Sequence, residues 1–87
     1  MWYLIYTEIV PDTARQAPFV NSQVLYAGYD INEANRMADS ELNELETRGC
    51  EILQLRDNGE YSGFDCLAVF RTSSYRDRYY HLKLYFG

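Results

Sequence analysis

Apolar and polar side chains alternate along residues 78–86, and a period of two is typical of a β-strand. One face of this predicted strand carries residues that can close a core, Tyr80, Leu82, Leu84 and Phe86. The other face carries residues that are too polar to bury and rich in aromatic area, Tyr79, His81, Lys83 and Tyr85. Because a tyrosine offers a large apolar ring with a polar tip, the pattern predicts that this second face contacts a partner.

Four further segments are predicted strands, at residues 2–10, 23–29, 50–56 and 61–72. The first of them, WYLIYTEIV, consists largely of β-branched and aromatic residues. Gly28 in the second of these indicates a bulge or the close approach of another backbone. Residues 11–22 contain both prolines of the chain and are predicted to form a loop.

The last two of these segments are predicted to pair as a hairpin. The Asn-Gly pair at residues 58–59 favours a two-residue type I′ turn, which would place Leu53 opposite Phe64. In this register Cys50 and Cys66 lie on opposite faces of the hairpin, and a disulfide between them is disfavoured.

Residues 31–47 follow a different period, of three and four residues, which predicts an amphipathic helix. Its apolar stripe consists of Ile31, Ala34, Met37, Ala38, Leu42 and Leu45. Asp30 is the expected N-cap, and Glu33 three residues later completes a variant of the capping box. Gly49 is expected to end the helix, with Arg48 favourably placed against the helix dipole.

The predicted elements follow one another in the order β-β-α-β-β-β. This order predicts an α+β fold, in which a single helix packs on one face of a four- or five-stranded antiparallel sheet. A chain of 87 residues is expected to form one domain, residues 1–87. The other face of the sheet would be open to solvent or to a partner, and self-association would add buried area to a small core.

Charge is unevenly distributed along the chain. Acidic residues outnumber basic residues by 13 to 8, and the net charge is −5. A protein of this sign is repelled by nucleic acid and by anionic membranes, so neither is expected as a direct partner. Several bases lie in one C-terminal segment, at Arg71, Arg76, Arg78 and Lys83.

The cellular setting is predicted from what the sequence lacks. Two cysteines are too few for a disulfide scaffold, which favours free thiols and the cytoplasm. The first residues, MWYLIY, lack the basic region and the cleavage site of a signal peptide. No apolar run approaches the roughly 20 residues of a membrane span.

Residues that could carry catalysis are few. His81 is the one histidine, and in a tyrosine-rich strand it is expected to be a surface or interface residue rather than a general base. Ser62 lacks the first glycine of a G-x-S-x-G elbow, and one histidine with two cysteines cannot complete a structural zinc site. We therefore expect a protein that is not an enzyme and that holds no metal or cofactor.

Two groups of residues are candidate partner-binding surfaces. The first group is aromatic and cationic, and consists of Tyr75, Arg76, Arg78, Tyr79, His81, Lys83 and Tyr85. The second group is acidic and lies on the predicted helix, at Asp39, Glu41 and Glu44. Tyrosine and arginine dominate binding hot spots, whereas acidic residues steer the encounter with a basic partner.

Three short motifs occur in order along the chain, Leu42-Asn43-Glu44-Leu45, Gly49-Cys50-Glu51-Ile52-Leu53 and Leu67-Ala68-Val69-Phe70-Arg71. Together they resemble a widespread small bacterial and phage domain family of unassigned function, in which tryptophan stands at the position of Cys50. The resemblance implies a helix, a glycine stop and a hairpin, and it implies no activity. The size, acidity and layout of the chain are also similar to those of small phage anti-defence proteins, including anti-CRISPR inhibitors.

Two hypotheses of function follow. The first is a non-enzymatic inhibitor or adaptor that binds a protein partner, most naturally a basic complex that handles nucleic acid, such as a CRISPR effector. The second is an oligomeric module that binds or sequesters a nucleotide or another small ligand, using the arginines and tyrosines of the last strand. Self-association is expected under either hypothesis, because the sheet has an open face and edge strands.

Overall fold

The computed structural model of the protein describes residues 1–11, 19–57, 63–71 and 77–87. Within these ranges the elements are β1 (Trp2–Val10), β2 (Phe19–Gly28), α1 (Ile31–Thr47), β3 (Glu51–Asp57), β4 (Phe64–Phe70) and β5 (Arg78–Phe86). The strands form one antiparallel sheet in the order β2-β1-β5-β4-β3, and α1 packs on one face of it. The predicted α+β fold with a single helix on an antiparallel sheet is confirmed.

The N-terminus of α1 is closed by local hydrogen bonds. The side chain of Asp30 accepts the backbone N–H groups of Asn32 and Glu33 at 3.0 and 3.2 Å, so it is the N-cap that the sequence predicts. The backbone N–H of Asp30 donates to the hydroxyl of Tyr26 at 3.0 Å. A tyrosine from β2 thus takes the place of the Glu33 side chain in the predicted capping box.

The C-terminus of α1 ends where the glycine predicts. Arg48 is the C-cap, and Gly49 follows it with a φ of +91°. The N–H of Gly49 donates to the carbonyl of Glu46, and the N–H of Cys50 donates to the carbonyl of Leu45, both at 3.0 Å. This pair of bonds is the Schellman motif, which satisfies carbonyl groups that the end of a helix would leave unpaired.

The core lies between α1 and the face of the sheet that the helix covers. Its buried residues are Trp2, Leu4, Ala34, Ala38, Leu45, Phe64, Cys66, Ala68, Tyr80, Leu82 and Leu84. The helix contributes mainly small residues and the sheet large ones, so the helix can approach the sheet closely. Phe86, predicted to lie in the core, is 65% exposed at the end of β5, where its ring meets the ring of Trp2 edge-on at 5.3 Å.

The helix crosses the sheet diagonally, because it starts directly after β2 at one edge and leads into β3 at the other edge. Near its C-terminus, Leu45 packs with Ala68 and Tyr80. Two opposite corners of the sheet lie away from this diagonal. Phe19 in β2 and Leu55 in β3 occupy these corners, and they are 53% and 49% exposed.

β2 is longer than the sequence predicts. It begins at Phe19 rather than at residue 23, since residues 19–24 pair in regular register with residues 5–10 of β1. The register then shifts between Leu4 and Ile5, which leaves Leu25 as an extra residue. The bulge in this strand therefore lies at Leu25 and not at Gly28.

The register of the β3–β4 hairpin also differs from the prediction. Asp57, and not Leu53, lies opposite Phe64. The shift is four residues, and an even shift keeps each side chain on its own face. The predicted turn at residues 58–59 lies outside the described residues.

A second register shift changes the position of one cysteine. The β3–β4 pairing shifts between Ile52 and Gln54, so Leu53 is an extra residue. The bulge reverses the alternation before it, and Ile52 and Cys50 pack on the helix side of the sheet with Cys66. The prediction that the two cysteines lie on opposite faces is therefore wrong, although both are free thiols.

Candidate partner-binding surfaces

The face of the sheet opposite α1, which we call the open face, carries the side chains that the alternation of β5 predicts. They are Tyr79, His81, Lys83 and Tyr85. Tyr79 and His81 are half-buried, whereas Lys83 and Tyr85 are exposed. Val69 of β4, which lies beside Tyr79, is fully buried on the same face. The accessible part of β5 therefore lies towards its C-terminal end.

Aromatic rings and one cation form a cluster at that end of the open face. The rings of Tyr3 and Tyr85 lie on neighbouring strands with centroids 5.5 Å apart. The Nζ atom of Lys83 lies 5.4 Å from the centroid of the Tyr85 ring, within the range of a cation–π interaction. The cluster offers apolar area, two phenolic hydroxyls and a positive charge, which are the groups that a protein contact surface uses.

His81 is held by the neighbouring strand β4. Its Nε2 atom lies 2.5 Å from Oδ1 of Asp65, and both side chains are partly exposed. The pair is an ion pair when the imidazole is protonated, and a hydrogen bond fixes the ring in either charge state. This geometry fits a positioned surface residue, as the sequence predicts for a histidine in this strand.

Arg78 does not share the open face with the other predicted residues of β5. Alternation places it on the same side as Tyr80, and its Nη1 atom lies 3.8 Å from Oε1 of Glu8. The first predicted surface is therefore divided between two faces of the sheet. Tyr75 and Arg76 lie outside the described residues.

The acidic residues of α1 occupy the solvent side of the helix in two groups. Glu41 and Glu44 are three residues apart and are therefore neighbours on one flank. Asp39 is two residues before Glu41, which turns it about 200° away around the helix axis. The second predicted surface is thus a pair of carboxylates, and Asp39 lies apart from them.

The electrostatic environment of Glu41 is set by burial and by nearby charges. The pKa of Glu41 is raised, first because burial disfavours the charged carboxylate and second because Glu44 repels it. In the described part of the chain, no helix carboxylate takes part in an ion pair. Arg48 attracts both carboxylates without forming a close ion pair, so their charge is only partly balanced within the protein.

A cluster of two tyrosines and one arginine attaches the end of α1 to the sheet. Tyr6 and Tyr80 stack with centroids 5.9 Å apart, and the guanidinium of Arg48 lies 5.5 Å from the centre of the Tyr80 ring. Burial raises the pKa of Tyr6, and a hydrogen bond from Arg48 opposes this shift. The three residues are far apart in sequence, and no local pattern predicts their contact.

Removing the charge of Glu41 is expected to stabilise the fold at neutral pH. Because its folded-state pKa is raised, the fold favours the protonated form, and this stability is lost as pH rises through the folded pKa. We expect Glu41→Gln to stabilise by roughly 0.2–0.5 kcal/mol at about pH 7 and by nothing measurable at about pH 3. Thermal unfolding at both pH values measures this, and Asp39→Asn, which removes an equal charge elsewhere, should show no such gain.

The described residues offer little metal or thiol chemistry. Burial raises the pKa of the Cys50 and Cys66 thiols, which disfavours the reactive thiolate. Among the described residues, no three histidine, cysteine, aspartate or glutamate side chains come close enough together to hold a metal ion. The helix in this part of the chain is too short and too polar to cross a membrane.

Comparison with known proteins finds no relative of this chain. No protein-family model, no curated protein and no solved structure matches the chain. The resemblance of the segments at residues 42–53 and 67–71 to the small bacterial and phage domain family therefore stays a prediction.

Proposed function

We propose that this protein is a non-enzymatic inhibitor that binds a basic, nucleic-acid-handling complex in the cytoplasm and blocks it, as small phage anti-defence proteins do. The observation that carries the proposal is the concentration of negative charge on one side of the molecule. α1 contains five carboxylates and one arginine, a net charge of −4, while the whole chain has −5. A helix with this charge is complementary to a groove that binds nucleic acid, because it presents negative charge as a phosphate backbone does.

The Glu41–Glu44 pair is the part of this surface that favours a basic partner most directly. In the free protein the two carboxylates repel each other, and partial burial deprives Glu41 of water. A lysine or arginine from a partner would offset the repulsion and give the partly buried Glu41 carboxylate an opposite charge close by. The gain in binding free energy is therefore expected to be larger for this pair than for an exposed carboxylate such as Asp39.

The open face, on the side of the sheet opposite α1, also has features of a binding surface. Its accessible end combines Tyr3, Tyr85 and Lys83, which are residue types that supply contact energy. The acidic helix and the open face look in opposite directions, so one flat surface cannot contact both. We assign the groove contact to the helix and leave the open face for a second contact.

The alternative function, a nucleotide or small-ligand module built on the last strand, has weaker support. It requires arginine, lysine and tyrosine side chains to converge on one site. Arg78 and Lys83 lie on opposite faces of the sheet, and Arg78 lies beside Glu8 rather than beside the tyrosines of the open face. The described residues therefore favour the inhibitor over the ligand-binding module.

Reversal of the Glu41–Glu44 pair is expected to abolish capture of the partner. The tagged protein should retain a basic, nucleic-acid-binding complex from host extract, and high salt or added double-stranded DNA should release it. Glu41→Lys with Glu44→Lys should weaken this capture by about 100-fold, since like charges then face each other across the contact. The readout is the amount of partner retained at a series of salt concentrations.

A matched control separates the pair from total charge. Asp39→Lys with Glu46→Lys makes the same change in net charge on the opposite flank of α1, and it should reduce capture only modestly through weaker long-range attraction. Circular dichroism of both double variants checks that the helix is intact. If both double variants capture as much partner as the unaltered protein, or if the partner retained is not a nucleic-acid-binding complex, the proposal is wrong.

A further inference from the structure

β2 is an edge strand whose outer backbone groups have no strand to pair with in the described part of the chain. It lies at the end of the sheet, hydrogen-bonded to β1 alone. Residues 19–24 are all exposed, including Phe19, Val20 and Val24 at 53%, 63% and 58%. An edge strand with these properties is a template for another strand.

The other edge of the same sheet is protected. β3 carries Glu51, Arg56 and Asp57 within seven residues, and a bulge at Leu53 interrupts its pairing. Charged residues and bulges are the devices by which proteins prevent edge-to-edge association. Residues 19–24, in contrast, contain no charge, proline, glycine or bulge. Only one of the two edges is therefore suited to pairing.

We infer that β2 pairs with β2 of a second copy of this chain, in antiparallel orientation, to give a dimer with one continuous ten-stranded sheet. The inference goes beyond the proposed inhibitory function and does not rest on it. It concerns the segment of residues 19–24, which neither candidate binding surface includes.

The sequence of this segment matches itself when the two-fold axis passes through Ser22. Val20 of one copy then lies opposite Val24 of the other, on the open face, and both pairs are equivalent by symmetry. On the helix side, Asn21 lies opposite Gln23, so an amide meets an amide. An isologous interface needs this kind of self-complementarity, and β-branched pairs across strands are favourable.

Charge favours a second copy over a charged partner at this edge. The chain as a whole has a net charge of −5, yet the segment 19–24 has none. The helix acids begin beyond Gly28, roughly 20 Å along the strand from the axis at Ser22, which exceeds the roughly 8 Å screening length in physiological salt. Two copies can therefore meet at β2 without bringing their acidic helices together.

The protected β3 edge explains why the association would stop at two copies. In the dimer both free edges of the sheet are β3 strands, with their charges and bulge.

The two-fold axis places the open faces of the two copies on the same side of the continuous sheet. On each side of it, Ile9 and Val20 of one copy continue into Val24 and Ile5 of the other as an apolar row.

Charge substitutions at the axis test the inference. Sedimentation equilibrium over about 1–500 µM should give the unaltered protein a mass twice 10.3 kDa at the upper concentrations. Ser22→Lys and Ser22→Glu each place like charges opposite each other and should weaken the dimer by about 100-fold. An equimolar mixture of the two variants should recover it. Gln54→Lys, the same charge on the β3 edge, should leave the dimer unchanged.

Disulfide trapping checks the register. Cα atoms opposite each other in an antiparallel pair are about 4.5–5.5 Å apart, within reach of a disulfide. Ser22→Cys should therefore cross-link under mild oxidation, whereas Asn21→Cys, displaced from its counterpart, should not. A protein that is monomeric at every concentration overturns the inference. So does a dimer that persists in Ser22→Lys, or a β2 edge that captures a foreign peptide while the protein itself stays monomeric.

Discussion

Replacing Leu82 by alanine is expected to destabilise the protein by about 2–5 kcal/mol, a large part of the stability of a domain this small. Leu82 is fully buried in β5, the central strand, and packs in the cluster that includes Ala34 and Ala38 of the helix. The helix residues there are already small, so they cannot expand into the space. A cavity would remain between the two layers, and its cost adds to the lost burial.

Thermal and urea-induced unfolding measure this loss, which should lower the Tm by roughly 10–30 °C. The matched control is Leu55→Ala, the same deletion on the same face of the sheet, at the corner away from the helix. Leu55 is 49% exposed, so we expect its loss to cost about 1 kcal/mol or less. Equal destabilisation by both variants would show that the helix does not cover the sheet as described.

Gly63→Ala is expected to destabilise by about 2–5 kcal/mol, because two separate penalties fall on the same residue. Gly63 is buried directly before β4, and its φ of +93° lies in a region that side chains with a Cβ rarely adopt. An added Cβ would also lie 2.5 Å from the carbonyl oxygen of Leu84 in β5. That oxygen belongs to the backbone of a paired central strand, so it cannot move aside cheaply.

Gly49→Ala separates these two penalties. Gly49 has a similar φ of +91°, but an added Cβ would meet nothing within 4 Å. We therefore expect this control to cost only the backbone term, about 1–2 kcal/mol. Urea denaturation of both variants gives the difference, which is the cost of the close approach to Leu84. If Gly49→Ala proves as harmful as Gly63→Ala, the close approach contributes nothing.

Local signals in the sequence predicted the helix and the order of elements. The bounds of α1, Ile31–Thr47, follow from an N-cap aspartate and a C-terminal glycine that lie within one turn of the helix ends. β1 and β5 were also predicted with their full bounds, because their apolar and aromatic residues fill the strands from end to end. These features depend on interactions between residues near in sequence.

Strand register was not predictable in the same way. A bulge such as Leu53 has no required residue type, and it becomes visible only when the partner strand is in place. The turn signal at residues 58–59 fixed a register four residues from the one observed. The residues of β4 were still assigned to the correct faces, because a shift of four residues is even. Cys50 lies before the bulge in the chain, so its predicted face was wrong.

The faces of the candidate surfaces follow from local alternation, but their full membership does not. Alternation correctly assigned Tyr79, His81, Lys83 and Tyr85 to one face, but grouping by chemical type added Arg78, which the same alternation places on the other face. The helix period likewise separates Asp39 from Glu41. The contact of Arg48 with Tyr6 and Tyr80 joins three elements, and only the folded chain brings them together.

The central seam of the sheet determines how this protein must fold. β1 and β5 pair from Trp2↔Phe86 to Ile9↔Tyr79, and Met1 and Gly87 exchange hydrogen bonds of 2.9 and 3.1 Å. Closing a loop about ten times longer than that of a hairpin costs about 2 kcal/mol more in chain entropy. The β1–β2 hairpin and the β3–β4–β5 meander can each form locally, but neither completes the core. The meeting of these two halves along the seam is therefore expected to limit the folding rate and to make unfolding all-or-none.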